Sequence, residues 1–145
     1  MALAADGRHR NDDDVMRRLL ATPARWAVVG LSQNATRVAY GIARYLQSPL
    51  GMTIVPVHPK AETVYGEPGF AALSGIPDPV DVVDVFVRSE LAGAVVDEAI
   101  ETGAKAVWLQ LGVIDEASAA RARAAGLDVV MDTCPAIEAP RLGIA

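Results

Sequence analysis

Short apolar runs alternate along most of the chain with segments whose apolar residues recur at helical spacing. Each run has the length of a buried strand, and each spaced segment fits one face of a helix. The strands are predicted over residues 25–29, 52–57, 80–87, 106–110 and 127–131, and the helices over residues 15–20, 38–46, 90–102 and 115–125. Strands that alternate with helices in this way favour right-handed crossovers and a parallel sheet, whose ligands bind at the carboxyl ends of the strands.

Polar residues and glycines mark the ends of these elements. The polar residues 11–14 precede the first helix and include an N-cap candidate. Ser89 is expected to cap the helix that follows it, and Gly103 to end that helix. Residues 70–73 predict a short helix between the second and third strands. The tail, residues 132–145, is expected to pack loosely over the sheet.

The turn at residues 30–37 joins the first strand to the next helix. Backbone N–H groups at the start of a helix lack intrahelical partners, and the helix dipole places partial positive charge there. Gly30 allows the chain to turn and a ligand to approach the backbone, while Ser32, Asn34 and Thr36 can donate hydrogen bonds or cap the helix. The turn therefore predicts a phosphate site, with an ordinary capped strand-to-helix turn as the alternative.

Composition narrows the fold class further. A length of 145 residues fits one domain. Residues 1–10 are small and charged and are expected to form a flexible N-terminus, with residues 11–145 as a single domain. Hydrophobic residues make up 52% of the chain and aromatic residues 5%, so the core is built mainly from aliphatic side chains. This composition is typical of an α/β fold in which helices cover a parallel sheet.

Charge and cysteine content exclude several functional classes. The chain has 13 basic and 18 acidic residues, a net charge of −5, and no clustered basic face for nucleic acid. No apolar run approaches the roughly 20 residues that cross a bilayer, so we expect no membrane partner. His9 and His58 are far apart and lack the spacing of metal ligands. The single cysteine, Cys134, is compatible with a reducing compartment, and we expect a cytoplasmic protein.

Five short motifs together carry a resemblance to a known family. They are VVGLS at 28–32, VPVHP at 55–59, VVDVF at 82–86, VWLQLG at 107–112 and MDTCP at 131–135. In this order and spacing the chain resembles, over residues 25–138, the CoA-binding protein family, small relatives of the CoA-binding domain of the succinyl-CoA synthetase alpha subunit. The resemblance implies a Rossmann-like fold, a doubly wound five-stranded parallel sheet in three α/β/α layers, and coenzyme A as the ligand.

The resemblance also implies where coenzyme A would lie. The turn at 30–37 would hold the pyrophosphate, the ends of the second and third strands would flank the nucleotide, and the loops after the fourth and fifth strands would lie near the pantetheine arm. The implied ligand-binding residues are Gly30, Leu31, Ser32, Arg37, Val57, His58, Pro59, Lys60, Val87, Arg88, Gln110, Gly112 and Cys134. Two positions depart from the family pattern: His58 stands where asparagine is usual, and Val87 separates Phe86 from Arg88.

Three side chains near this edge have competing interpretations. A general-base role for His58 would need a partner and a substrate proton within reach, so a hydrogen bond to a ribose or to a neighbouring loop is favoured. Cys134 is favoured as a small buried side chain over a thiol that exchanges with the sulfur of coenzyme A. Trp108 is expected in the core rather than against adenine.

The resulting prediction is a binding module for coenzyme A or acyl-CoA, without catalysis of its own, that serves as a sensor, carrier or regulator. Because the net charge is negative, local positive charge must hold the phosphates, and Arg37, Lys60 and Arg88 are the candidates. Whether the chain forms a homodimer or binds an unknown protein partner is left open. In the synthetases, ligase chemistry needs a phosphorylatable histidine and further domains, for which we expect no room in this chain.

Two enzymatic alternatives remain. A nicotinamide-dependent oxidoreductase usually has Gly-x-Gly-x-x-Gly after its first strand and an acidic residue at the end of its second strand. Here Ser32 follows Gly30, no third glycine follows, and residues 57–60 include no acid. The other alternative is CoA-dependent acyl or thiol chemistry through Cys134.

Overall fold

A five-stranded parallel sheet forms the centre of this computed structural model, which describes residues 3–145. Its strands are β1 Arg25–Val29, β2 Thr53–Val57, β3 Val82–Val85, β4 Ala106–Leu109 and β5 Asp128–Met131. The spatial order is β2-β1-β3-β4-β5. From β1 the chain first moves outward to β2 and then returns past β1 to β3, so the strand order reverses between β1 and β3. The predicted Rossmann-like, doubly wound topology is confirmed.

In the described part of the chain, residues 3–145, five α-helices cover the two faces of the sheet. They are α1 Asp13–Ala21, α2 Val38–Gln47, α3 Ser89–Glu101, α4 Glu116–Ala124 and α5 Pro135–Arg141. Helices α1, α2 and α5 pack on one face, and α3 and α4 pack on the other. The three-layer α/β/α arrangement is therefore also confirmed.

Each face of the sheet has its own core. Alternate residues of a strand point to opposite faces. Trp26 and Trp108 lie fully buried beneath α1, α2 and α5, with their ring centroids 5.7 Å apart. Trp108 Nε1 donates to the carbonyl of Thr133 at 3.0 Å, so its expected place in the core is confirmed. On the opposite face, small residues such as Ala92 and Ala119 let α3 and α4 approach the sheet closely.

Two local expectations between β2 and α3 are wrong. Ser89 does not cap α3, because it is the first helical residue and Arg88 occupies the N-cap position. Residues 70–73 do not form a helix. Phe70 instead pairs with Val57 as a parallel bridge, and a short 3₁₀ turn follows at Leu73–Gly75. The extended pairing of Phe70 supplies backbone hydrogen bonds at the outer edge of β2, which a local apolar pattern does not indicate.

The C-terminal tail forms α5 instead of packing loosely. Ala139 is fully buried, and Arg141 makes an ion pair with Asp13 at 2.7 Å. The helix has seven residues and contains Pro135 at its start and Pro140 inside it. Proline at the start of a helix is favourable, but proline within it removes a hydrogen bond. The tertiary contacts, and not local propensity, therefore stabilise this helix.

The N-terminal segment lies along the outer edge of β5. The side-chain amide of Asn11 bonds to both the N–H and the C=O of Met131, each at 2.9 Å. His9 lies between Asn11 and Arg123, at 2.8 Å from each, and burial lowers its pKa. These contacts satisfy backbone groups that an edge strand leaves open. The flexibility of residues 1–10 and the domain boundaries stay predictions, and residues 1 and 2 lie outside the described residues.

Asp84 is a fully buried acid in the middle of the sheet. It lies on β3 between Val28 and Trp108 of the neighbouring strands. Neither carboxyl oxygen has a hydrogen-bond partner among the described residues. Burial raises the pKa of Asp84 well above its usual range, because the charged form loses its hydration. The folded protein therefore favours the protonated acid.

We expect Asp84→Val to raise the free energy of unfolding by about 1–3 kcal/mol at pH 8, because an unpaired buried polar group is removed. The folded chain retains a proton on Asp84 that the unfolded chain releases above roughly pH 4. Asp84 therefore lowers the free energy of unfolding progressively as pH rises from roughly 4 towards the raised pKa of Asp84 in the folded state. Urea denaturation of both proteins between pH 4 and pH 8 measures the difference, which should grow with pH.

Asp84→Asn is the matched control, since asparagine stays polar but cannot ionise. Its stability relative to Asp84→Val should not vary with pH over this range. A stability loss in Asp84→Val at pH 8 would contradict the prediction and would mean that the carboxyl group has a stabilising partner.

Candidate functional site

A cavity of about 690 Å³ opens at the carboxyl edge of the sheet, above the ends of β1 and β3. Parallel sheets bind ligands at this position, where the helices after the two strands diverge to opposite faces. The cavity brings together most of the predicted site. Its predicted wall residues are Gly30, Ser32, Arg37, Val57, His58, Pro59, Val87 and Arg88.

The other predicted site residues lie outside the cavity wall. Leu31 is fully buried, so its side chain belongs to the core. Lys60 is exposed beyond the rim. Gln110, Gly112 and Cys134 follow β4 and β5 further along the same edge. Their contact with a ligand stays a prediction.

Polar side chains shape the turn between β1 and α2. Ser32 Oγ accepts a hydrogen bond from the Asn34 N–H at 3.2 Å. Asn34 Oδ1 accepts from the N–H and the hydroxyl of Thr36, at 3.0 and 2.6 Å. No side chain caps α2, whose N-cap residue is Arg37. The expected capping of α2 by Ser32, Asn34 or Thr36 is therefore wrong, because these side chains bond to one another's residues within the turn. Among the described residues, no side chain bonds to the first amides of α2, and donation to a ligand stays a prediction.

Gly30 is required by the protein's own packing. Its φ is +105°, and a Cβ at this position would lie only 2.4 Å from the Phe86 carbonyl oxygen. The Gly30 N–H donates to Val57 O at 2.8 Å, and the Phe86 N–H donates to Val29 O at 2.9 Å. The ends of β1, β2 and β3 thus converge at one residue. The expectation that Gly30 serves ligand approach is incomplete, because any side chain would first separate β1 from β3.

Two arginines give the cavity local positive charge. Arg37 and Arg88 both line it and are exposed. Neither forms an ion pair with a carboxylate within residues 3–145, whereas Arg121 and Arg141 do. A guanidinium group can donate two parallel hydrogen bonds to a phosphate. In a chain of net charge −5, this pair of free guanidinium groups therefore favours an anion at the cavity.

His58 is held by its own loop. Its Nδ1 accepts a hydrogen bond from the Lys60 N–H at 3.1 Å, which places the proton of the neutral ring on Nε2. The His58 N–H donates to Phe70 O at 3.0 Å. The loop after β2 thus returns along the strand and brings Ala71 to the cavity wall. The imidazole thus bonds within its own loop and not to a neighbouring one, and its expected bond to a ribose stays a prediction.

Several wall residues were not predicted from the sequence. Val38 and Leu91 line the cavity from the first turns of α2 and α3, and the other unpredicted wall residues are Val29, Ala39, Ala71 and Phe86. Val38 is 69% exposed and Leu91 is 49% exposed. Their signal in the sequence is a large apolar residue on the solvent side of a helix start, where the helical pattern predicts a polar one.

The floor beyond the cavity combines buried uncharged side chains with the exposed carboxylate of Asp132, which follows β5. Gln110, Thr133 and Cys134 are buried at the ends of β4 and β5. Among residues 3–145, no three His, Cys, Asp or Glu side chains are grouped in a way that could hold a metal ion. In the same part of the chain, no helix has the length and apolar character needed to span a membrane.

Comparison with known proteins agrees with this geometry. Residues 24–140 match the family model of the CoA binding domain. The uncharacterized protein YneT of Bacillus subtilis is 34% identical over 119 residues, which cover 82% of this chain and 87% of that protein. A hypothetical protein from Pyrococcus horikoshii OT3 has a similar structure, with a TM-score of 0.84, 35% identity and coverage of 91% of this chain and 92% of that chain.

A larger protein contains a related unit. The dinucleotide-forming acetyl-coenzyme A synthetase 1 of Ca. Korarchaeum cryptofilum is 26% identical with a TM-score of 0.71. The match covers 83% of this chain and 28% of that synthetase. Together with the family match over residues 24–140 and the similarity to YneT, this shows that the chain belongs to the CoA binding domain family.

Proposed function

We propose that this protein binds coenzyme A or an acyl thioester of coenzyme A at the carboxyl edge of its sheet, without catalysing a reaction alone. The observation that carries the proposal is the cavity above β1 and β3, where an uncapped helix start meets Arg37 and Arg88. Both features favour phosphate, and coenzyme A carries phosphates at two places. Membership in the CoA binding domain family supports the same ligand.

The proposed pose follows the order of the wall residues. The pyrophosphate would lie against the turn at 30–37 and the start of α2, within reach of Arg37. The nucleotide would lie beside His58 and Pro59, with Arg88 across the cavity and Lys60 beyond the rim. The pantetheine arm would then run over β4 and β5, past residues 110–112 and Cys134.

The nicotinamide alternative lacks the group that would hold its ribose. In dinucleotide sites an acidic residue at the end of the second strand binds the ribose hydroxyls. Here β2 ends at Val57, and His58 and Pro59 occupy the cavity wall beyond it. The His58 imidazole cannot replace a carboxylate as acceptor, because Nδ1 already accepts from Lys60 N–H and Nε2 carries the proton of the neutral ring.

The side chains at the carboxyl edge of the sheet favour binding without catalysis. Exchange with the sulfur of coenzyme A would need an exposed thiolate. Cys134 is only 7% exposed, and its position at the start of α5 makes it part of the packed structure. Within residues 3–145, no carboxylate forms a hydrogen bond or ion pair with His58 that would orient it. A binding role as sensor, carrier or regulator fits these side chains better than acyl or thiol transfer.

Calorimetric titration tests the ligand assignment. We expect saturable binding of coenzyme A and binding of NAD that is at least about tenfold weaker, because the end of β2 lacks the acid that NAD sites use. Dephospho-CoA, titrated at the same salt concentration, shows whether a cation contacts the 3′-phosphate. If NAD binds and coenzyme A does not, the proposal is wrong and the oxidoreductase alternative replaces it.

Replacement of the two free arginines tests the site itself. Arg37→Gln and Arg88→Gln should each raise the Kd for coenzyme A about tenfold. A charged hydrogen bond contributes about 1.5–3 kcal/mol, and solvent screening at this exposed rim reduces that value. The affinity of each variant should also depend less steeply on salt concentration than that of the unsubstituted protein.

Lys105→Gln is the matched control, since it makes the same change in net charge at the opposite edge of the sheet. Lys105 is exposed beside Asp81, just before β4. Its replacement should leave coenzyme A affinity and its salt dependence unchanged. An equal loss of affinity in all three variants would attribute the effect to net charge and would remove Arg37 and Arg88 from the site.

A further inference from the structure

Large exposed apolar side chains gather at the carboxyl edge of the sheet. Val38 and Ile137 lie in the first turns of α2 and α5, which pack on one face of the sheet. Leu91 lies in the first turn of α3 on the other face, and Leu111 and Ile114 lie in the loop after β4. These five side chains, here called the apolar strip, are 47% to 69% exposed. Exposed apolar clusters of this kind mark binding surfaces.

Hydrogen bonds fix the loop of the apolar strip beside the candidate site. Ser89 Oγ accepts from the Ile114 N–H at 3.0 Å and donates to the Gly112 carbonyl at 3.3 Å. The Gly112 N–H in turn donates to Asp132 Oδ1 at 2.8 Å. The loop after β4 is therefore tied to the start of α3 on one side and to the end of β5 on the other. Its apolar side chains lie on a defined part of the edge.

The apolar strip begins inside the cavity and continues away from it. Val38 and Leu91 are walls of the cavity itself. On one side of the cavity the sheet ends at β2, but on the other side it continues for two strands, about 10 Å at ordinary strand spacing. Leu111, Ile114 and Ile137 lie along that longer side, where Gln110, Thr133 and Cys134 are buried. The carboxylate of Asp132 at the end of β5 accepts from the Gly112 N–H, and Ile114 lies beside it.

We propose that the apolar strip holds the acyl chain of a medium-length acyl-CoA, so that the preferred ligand is an acyl thioester and not free coenzyme A. The inference rests on the proposed function. With its phosphates held between α2 and α3, coenzyme A directs its thiol end over β4 and β5. An acyl group attached there meets apolar side chains on both sides and the buried, uncharged side chains of Gln110, Thr133 and Cys134 beneath it. The nearby Asp132 carboxylate already accepts from the Gly112 N–H. Continuity with the nucleotide cavity is what favours an acyl chain over a protein partner.

Chain length should therefore control affinity. Full burial of one methylene group raises affinity about fourfold. An open groove that covers about half of the acyl chain surface should raise affinity about twofold for each added methylene. Calorimetric titrations with free, acetyl, butyryl, hexanoyl and octanoyl-CoA measure this directly. We expect affinity to rise by about 60-fold between acetyl-CoA and octanoyl-CoA, which differ by six methylenes.

Substitutions of Leu111 and Ile137 test whether the apolar strip causes the dependence of affinity on acyl chain length. Leu111→Ser and Ile137→Ser should each reduce the ratio between octanoyl-CoA and acetyl-CoA affinity to about tenfold or less, and circular dichroism checks that each remains folded. Leu3→Ser is the matched control, because Leu3 is a 40% exposed apolar side chain in the N-terminal segment outside the strip. This control should keep the full ratio.

The outcomes separate this inference from the proposed function. If every CoA species binds with equal affinity, the inference is wrong and the proposed function stands. If no CoA species binds, both fail. If chain length has no effect but Leu111→Ser changes the molar mass measured by light scattering, a second copy of the chain covers the strip and the inference is overturned. The inference is also overturned if Leu111→Ser and Ile137→Ser both keep the full ratio between octanoyl-CoA and acetyl-CoA affinity.

Discussion

The close approach of β1 and β3 at Gly30 is the constraint on which the site depends. No side chain fits between Gly30 and the Phe86 carbonyl, so the two strand ends come together only with glycine at this position. Directly above them, α2 departs to one face of the sheet and α3 to the other. The cavity is the space that this divergence leaves. Gly30 therefore allows the sheet to close below the site, and the strand order, which sends the two helices to opposite faces, leaves the space above it.

The distribution of ion pairs explains how an acidic protein can hold a phosphate. Lys105 pairs with Asp81, and Arg18 with Asp128, at the amino edge of the sheet. Such exposed pairs contribute little to stability, but they neutralise cations that would otherwise be free. At the carboxyl edge, Arg37 and Arg88 have no carboxylate partner among residues 3–145. Local charge at the cavity is thus opposite in sign to the net charge, and local charge determines which ligand binds there.

The sequence predicts those parts of the structure that repeat a local pattern. The first strand and the helix after it were predicted almost to the residue, because Thr22-Pro23 and the turn at 30–37 mark their ends clearly. Helix α5 was missed because tertiary contacts stabilise it against two prolines. The role of Ser89 was missed because its partners are in a loop distant in sequence. For the site, motifs located the strand ends, but Val38 and Leu91 required knowledge of which helix faces meet the cavity.

Buried polar side chains without partners lie on one face of the sheet and rise towards the site. Among the described residues, no hydrogen-bond partner is present for Trp26 Nε1, for either carboxyl oxygen of Asp84 or for Gln110 Oε1. Strand register places these residues on a diagonal across β1, β3 and the end of β4. Each unpaired group costs stability. A core selected only for stability would have an aliphatic residue at position 84, as it has at Val83 and Val85 on the opposite face. These departures from good packing thus form one line across the sheet that ends at Gln110, at the carboxyl edge where the cavity opens.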